Sequence, residues 1–387
     1  MNGLELAHGF YVDAVAPLLD RYAGDLSYSA ALIGPGSEVL GFDDDISTDH
    51  HWGPRVLVFT SDADAERRSA DLHAMLADRL PFEYCGYPTN FTEPDPDDNG
   101  TQLLRPVDSG PVNHRVEIVG LRSWLAGYIG AEPSGASAGR PLPGDAIGWL
   151  TIPQQKLRSI VAGAVFHDGL SARDAGIAAE ANAAGEQGAL AAVRSALAWY
   201  PDDVWRYLIA SVWQRIAQEE HLVGRAGQTG DEIGARVIAM RLVRDMMRLC
   251  FLAERKYAPY AKWLGRGFAD LDAARRIGPL LGAVAATNGW RERDLALAAA
   301  HSQLAIVHNS LSITKPMPTE PHGFFGRPFT VLAIDGFAQE TLDTIDADWL
   351  TPRMRRSPIG GVDLISDNTD LLEDAAYRDD LRRLIGG

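Results

Sequence analysis

Cysteine is almost absent from this chain: Cys85 and Cys250 are the only two, far apart and without Cys-x-x-Cys spacing. That excludes a disulfide framework and a structural zinc site. Positive charge is also short, since 36 Lys and Arg stand against 52 Asp and Glu, a formal net charge of −16. Phosphate backbones attract basic surfaces, so a bulk nucleic-acid binder is not expected and any polyanion partner needs a local basic patch. Long hydrophobic runs are missing too. No stretch reaches about 18 apolar residues, and residues 1–8 show no basic region followed by an apolar core. The expectations are no membrane partner and a cytoplasmic location. What is plentiful is apolar residue, 46% of 387, enough for two or three domains with cores of their own.

The most informative stretch is residues 33–59. An apolar run, 30–33, meets Gly34-Pro35-Gly36-Ser37, then an acidic loop, then a second apolar run, 56–59. This reads as strand, turn, loop, strand. Gly34 and Gly36 can take backbone conformations closed to other residues, so successive N–H groups can converge on an anion, and the Ser37 hydroxyl can join them. Asp43, Asp44, Asp45 and Asp49 follow within one loop length. Hard carboxylate oxygens beside phosphate oxygens suit Mg²⁺.

Gly36-Ser37, Gly41, Ser47-x-Asp49-x-His51 and the strand after them resemble the signature of the polymerase-β-type nucleotidyltransferase superfamily: Gly-Ser, a spacer, then Asp-x-Asp at a strand edge. Residues 36–44 (Gly-Ser-Glu-Val-Leu-Gly-Phe-Asp-Asp), 47–55 (Ser-x-Asp-His-x-Trp-Gly-Pro-Arg) and 213–220 (Trp-Gln-Arg-Ile-Ala-Gln-Glu-Glu) more narrowly resemble a bacterial family of uncharacterised function, DUF4037, assigned to that superfamily. This narrower resemblance runs over nearly the whole chain. The fold class expected is α+β, a small mixed sheet with flanking helices followed by an all-helical domain. The resemblance implies a metal-dependent transferase moving a nucleotidyl group from a nucleoside triphosphate, ATP in the first instance, to a hydroxyl of a small-molecule or protein acceptor. Mg²⁺ or Mn²⁺ would be the cofactor. Gly36, Ser37 and Arg55 would bind nucleotide; Asp49, His51 and Glu117 would be the metal set, Glu117 as the third carboxylate the superfamily places on a later strand. One departure stands out. Where the pattern has its second carboxylate this chain has His51, and imidazole serves Mg²⁺ poorly. Metal preference has shifted, a neighbour such as Asp45 substitutes, or transfer is weakened or lost.

In chain order, residues 6–23 read as a helix with Pro17 kinking it or marking its start. A helix capped by Ser61 or Asp62 ends near Leu80 with Leu72, Met75, Leu76 and Leu80 inward. Residues 88–111 read as a long loop. The alternation at 114–119 gives a third strand carrying Glu117, which is otherwise simply an exposed acid on an edge strand. Small residues, Pro and Gly at 131–145 mark a linker between a catalytic domain, 1–130, and a helical substrate and nucleotide domain, 146–315. Almost every segment from 152 to 311 shows helical spacing, broken at Gly169, Pro201, Gly224–Gly230, Pro259 and Gly278–Pro279. The tail, 316–387, is expected to return onto the cleft.

Within the helical region, the helix from Asp202 to about Glu220 continues its apolar face into Glu219 and Glu220. Buried carboxylates need cations, a metal or a cleft. These two pair with internal arginines, or one of them is a general base. Arg241, Arg244, Arg248 and Arg255 form a stripe on the next helix that answers such acids, or holds a triphosphate or anionic acceptor. Arg225, in a Gly-rich connection, could lead phosphate into a helix N-terminus, although such a connection is also a plain turn. Lys256 and Lys262, interleaved with Tyr257, Tyr260 and Trp263, suit base stacking and phosphate contact, or a surface helix start.

Two other readings remain open: a nucleotide-binding or regulatory protein of the same fold that lost turnover at His51, and a hydrolytic transition-metal centre of Asp49, His50, His51 and His114. A homodimer is left open.

Overall fold

The computed structural model describes residues 1–44, 46–47, 52–98, 100–130, 142–177 and 188–386. It divides into two units, one of residues 1–144 and 156–198, the other of residues 145–155 and 199–387. The class is α+β with a large helical region.

The first unit is built on four strands: β1 (Ser29–Leu32), β2 (Arg55–Thr60), β5 (Arg115–Gly120) and β6 (Ala164–Asp168), in the order β5-β2-β1-β6. The strands β3 (Glu83–Tyr84) and β4 (Tyr87–Pro88) form a separate small hairpin. β1 runs antiparallel to β2 and β6, while β2 and β5 are parallel. Their connection passes through α3 (Asp62–Arg79), which starts where Ser61 accepts from the Asp64 N–H at 3.1 Å. Alternation along the strands sends Ala30, Val56, Val58, Val116 and Ile118 to one face, where they pack with Phe10, Val15, Leu19, Leu72 and Leu76.

The first helix is interrupted as Pro17 demands. α1 (Gly3–Phe10) runs into one π-helical segment, Tyr11–Val15, and on into α2 (Ala16–Tyr22) with Pro17 in its first turn; the Ala16 N–H reaches back to the Tyr11 carbonyl, the wider spacing that lets the helix pass a residue with no N–H. Residues 88–111 are not structureless, because Phe91 bridges Leu104 and Asp95 bridges Thr101. A larger correction concerns residues 164–168, read as part of a helical region. They form β6 and pair with β1, and α6 (Gln154–Val161) and α7 (Ala189–Ala196) flank them. Five residues are too few for a period to separate strand from helix. The remaining helix on this side, α4 (Leu121–Ile129), follows β5 directly and ends on Gly130 at φ 67°.

The second unit holds α5 (Ala146–Thr151), the long pair α8 (Asp202–Gln228) and α9 (Glu232–Ala253), then α10 (Leu264–Ala269), α11 (Ala274–Ala286) and α12 (Trp290–Ser310). The expected break at 224–230 comes only at the far end of that range, where α8 stops at Gln228 and the chain turns through Thr229 and Gly230. Gly224 and Gly227 sit inside α8, where a Cβ would collide with the rings of Phe329 and Trp290. They are there for close approach, not for a turn. α11 likewise continues through Gly278-Pro279. After residue 316 come the hairpin β7 (His322–Gly323) and β8 (Thr330–Val331), then α13 (Phe337–Leu342), α14 (Pro352–Arg356), α15 (Val362–Ile365), α16 (Thr369–Glu373) and α17 (Arg378–Gly386). All of this tail groups with the second unit; Trp213 of α8, for example, stacks on Phe337 at 4.2 Å. No helix among the described residues is long and apolar enough to cross a membrane.

Candidate functional site

β1 delivers the glycine turn. Gly34 (φ 88°) and Gly36 (φ 138°) both adopt backbone that other residues rarely do. The turn is braced from two sides. Gly34 N–H donates to the Ser159 carbonyl at 3.0 Å. Arg55, first residue of β2, donates to the Pro35 carbonyl at 2.6 Å and to Glu38 Oε1 at 2.8 Å. A Cβ on Gly36 would collide with that guanidinium. Glu38 is buried and Arg55 mostly so, and Arg55, expected to hold nucleotide, has its charge matched internally and shapes the turn. From Ser37 the chain tightens, its carbonyl accepting from Leu40 and Phe42. Among the described residues nothing accepts from the N–H groups of Gly36, Ser37 and Glu38, and the Ser37 hydroxyl is equally unengaged.

The acidic loop separates into structural and undescribed members. Asp43 accepts from Gly3 N–H at 2.7 Å and Trp52 Nε1 at 3.4 Å, tying the loop to the start of α1. Asp44 accepts from the N–H groups of Ile46 and Ser47 at 3.0 and 3.1 Å. Asp45, Asp49, His50 and His51 lie outside the described residues.

Glu117 lies opposite Leu57, and Arg115 opposite Arg55. By alternation Arg55, Leu57, Arg115 and Glu117 share the sheet face away from the helical core. Glu117 is 47% exposed and 3.2 Å from Arg115. It is thus an exposed acid on an edge strand and, at the same time, on the face that carries the turn's brace. His114, three residues earlier, is closed to a metal. Its Nε2 meets the His73 carbonyl at 3.1 Å and its Nδ1 accepts from Val116 N–H at 3.1 Å. Burial pushes its pKa down to about 4. No group of three potential metal ligands occurs among the described residues.

The two glutamates of α8 part company. Glu219 pairs with Arg241, as the internal-arginine alternative expected. Glu220 has no arginine partner among the described residues. It is buried, and its carboxylate accepts from the N–H groups of Leu332 (2.9 Å), Ala333 (3.1 Å) and Ile334 (2.9 Å), with His301 Nδ1 at 3.6 Å. Burial raises Glu220 to about 7 although the three donors pull the other way; burial also lowers His301 to about 4. With its oxygens turned into this loop, Glu220 is an anchor for residues 332–334, and the general-base role is withdrawn for it.

The arginine stripe is answered by acids. Arg244 and Arg248 pair with Asp367, Arg255 with Asp202, and the fully buried Asp245 takes Arg215 at 2.8 Å. Arg225 is in the last turn of α8, not in a connection leading to a helix start, and the start of α9 is capped by its own Asp231, which accepts from Gly234 N–H at 2.7 Å. The phosphate role for Arg225 falls with that geometry. Lys256 pairs with Glu254 at 3.0 Å and Lys262 lies 4.9 Å from the Trp263 ring centroid. Tyr257, needed for base stacking, is buried against Trp199 and Tyr200.

Sequence reasoning missed Ser159, which supports Gly34 from a segment 125 residues on, and also Gln214, Gln218 and Arg356, which border an open cleft. Gln214 and Gln218 stood in the quoted 213–220 block at i, i+4 spacing, a signal that attention to acids passed over.

A family model described as a domain of unknown function (DUF4037) matches residues 177–264. That segment contains the 213–220 block and lies wholly beyond the Gly36-Ser37 turn, so the match is shorter than the nearly chain-long resemblance expected. No curated protein and no solved structure matches the chain.

Proposed function

We propose that the first unit is a metal-dependent nucleotidyltransferase that seats a nucleoside triphosphate, ATP in the first instance, on the Gly36-Ser37 turn and passes the nucleotidyl group to an acceptor hydroxyl. The observation that carries this reading is the shared face: the braced glycine turn and Glu117 belong to the same side of one sheet. Free N–H groups at Gly36, Ser37 and Glu38, with the Ser37 hydroxyl, are a donor set suited to phosphate oxygens. Arg55 keeps the turn in its strained shape. Glu117, half exposed, offers the hard oxygen that Mg²⁺ or Mn²⁺ takes, and Asp49 is the partner ligand expected from its sequence position. A cation held by those two would neutralise triphosphate charge during transfer.

Titration calorimetry of ATP, GTP, CTP and UTP with Mg²⁺ and then Mn²⁺, followed by pyrophosphate release in an acceptor screen, tests the reading. One nucleotide should bind only with metal and release pyrophosphate with an acceptor. Asp49→Ala should abolish metal-dependent binding, and His51→Asp should preserve or raise Mg²⁺-supported turnover. If His51→Asp kills activity, the imidazole has a role of its own. The second reading rests on His51 itself: a nucleotide-binding regulator of the same fold, selected by tight binding without pyrophosphate release.

A further inference from the structure

The second unit holds a cleft of about 500 Å³. One wall is the polar edge of the 213–220 block, with Gln214, Arg215, Gln218 and Glu219 all from α8; Arg241 of α9 and Arg356 border it as well. Of its three arginines, Arg215 is matched by the buried Asp245 and Arg241 by Glu219, which leaves one surplus positive charge, Arg356, in a chain that is strongly negative overall.

Two of these guanidiniums are paired and the third is not. Arg215 gives Nε to Asp245 at 2.8 Å and Nη1 to the Leu364 carbonyl at 2.6 Å. Arg241 reaches Glu219 through Nη2 alone. Arg356 is exposed and has no hydrogen-bond or ion-pair partner among the described residues. On the opposite sign, Glu219 Oε2 is buried and receives no donor. An unmatched buried acceptor and one unpartnered guanidinium, Arg356, lining the same cleft ask for a ligand that brings both an anion and a donor.

We infer that this cleft binds a small phosphorylated polyol, a sugar phosphate by chemical class. Guanidinium forks at Arg356 and Arg241 match phosphate oxygens. The Gln214 and Gln218 amides can each donate and accept, and Glu219 Oε2 accepts only, a set suited to hydroxyls. Ile359 and Leu364 supply apolar surface for the C–H side of the ring. Among the described residues no aromatic side chain lines the cleft, so a nucleobase would find nothing there to stack on. The volume is of small-ligand size.

The test is calorimetry on the full chain without metal or nucleotide, using glucose 6-phosphate, inorganic phosphate and glucose. Glucose 6-phosphate should bind saturably, inorganic phosphate about tenfold more weakly, and glucose not at all. Arg356→Ala, at an exposed position where folding is not at stake, should cost both phosphate probes about tenfold. Glu219→Gln should weaken glucose 6-phosphate and spare inorganic phosphate. Ser37→Ala should change neither, which separates this cleft from the glycine turn whether or not that turn binds nucleotide. Absence of saturable binding, equal affinity in Arg356→Ala, or loss of binding in Ser37→Ala would overturn the assignment. Phosphate bound as well as its sugar ester would overturn the polyol.

Discussion

Glu117 and Glu220 are both carboxylates that the sequence marks out, and the two units use them in opposite ways. In the first, Glu117 stands half exposed at a sheet edge with one arginine beside it, on the face of a turn whose Gly36, Ser37 and Glu38 N–H groups have no acceptor among the described residues. In the second, Glu220 is sealed under three backbone donors. A carboxylate left accessible beside free donors retains capacity for a ligand, whereas one whose lone pairs are filled is part of the architecture. The difference comes from backbone: a strand edge exposes alternate side chains, while the inner face of a long helix encloses them.

The sharpest way to break this contrast is to remove each carboxylate. Glu220→Ala should cost roughly 4 kcal/mol in urea unfolding, because three N–H groups, those of Leu332 and Ala333 buried, lose their acceptor. Glu117→Ala should cost under about 0.5 kcal/mol yet remove metal-dependent turnover. A Glu220→Ala loss below about 1 kcal/mol would mean the anchor is no anchor. Next in size, Gly227→Ala should destabilise by roughly 2 kcal/mol by driving a methyl group into Trp290, against the usual gain from Ala in a helix. A stabilised variant would restore the turn reading.

The pH profile sharpens the comparison further. Glu220, raised to about 7, keeps a proton that the unfolded chain releases from its ordinary 4.5 upward, so stability falls as pH climbs between those values. His301, lowered to about 4, refuses a proton that the unfolded chain takes up below 6.5, so stability falls on acidification from there. Melting temperature should therefore peak at mildly acid pH, and Glu220→Gln should flatten the limb that falls toward neutrality. An unchanged limb in that variant would assign the titration elsewhere. Smallest of all, Lys256→Ala and Lys262→Ala should each shift stability by less than about 0.5 kcal/mol and leave nucleotide affinity unaltered.

Local chemistry was legible where it is self-contained. β1, the Gly34–Gly36 turn, β2, the Ser61 cap and the strand bearing Glu117 follow from period, propensity and glycine placement alone. Burial of Glu220 was legible from the helical wheel, but its partner was not, since backbone donors 112 to 114 residues away leave no mark in composition. Gly224 and Gly227 misled for a related reason. A glycine that admits a neighbouring ring and a glycine that ends a helix look alike until the ring is known to be there. β6 was missed because its partner, β1, lies 135 residues earlier, and pairing at that range is not written locally. Asp49 and His51, on which the proposed chemistry depends most, lie outside the described residues.

β6 has a consequence for how the polypeptide can be made and cut. The backbone leaves the first unit after residue 144, re-enters at 156 and leaves again after 198. A ribosome must release residue 168 before β1 gains its second neighbour, and a fragment truncated at 144 would present the bare edge of β1, with unpaired N–H and C=O groups, to any other strand in reach. The two units are therefore not separable by a single cleavage, and an amino-terminal piece trimmed at the glycine-rich segment should aggregate where one extended to residue 198 stays soluble.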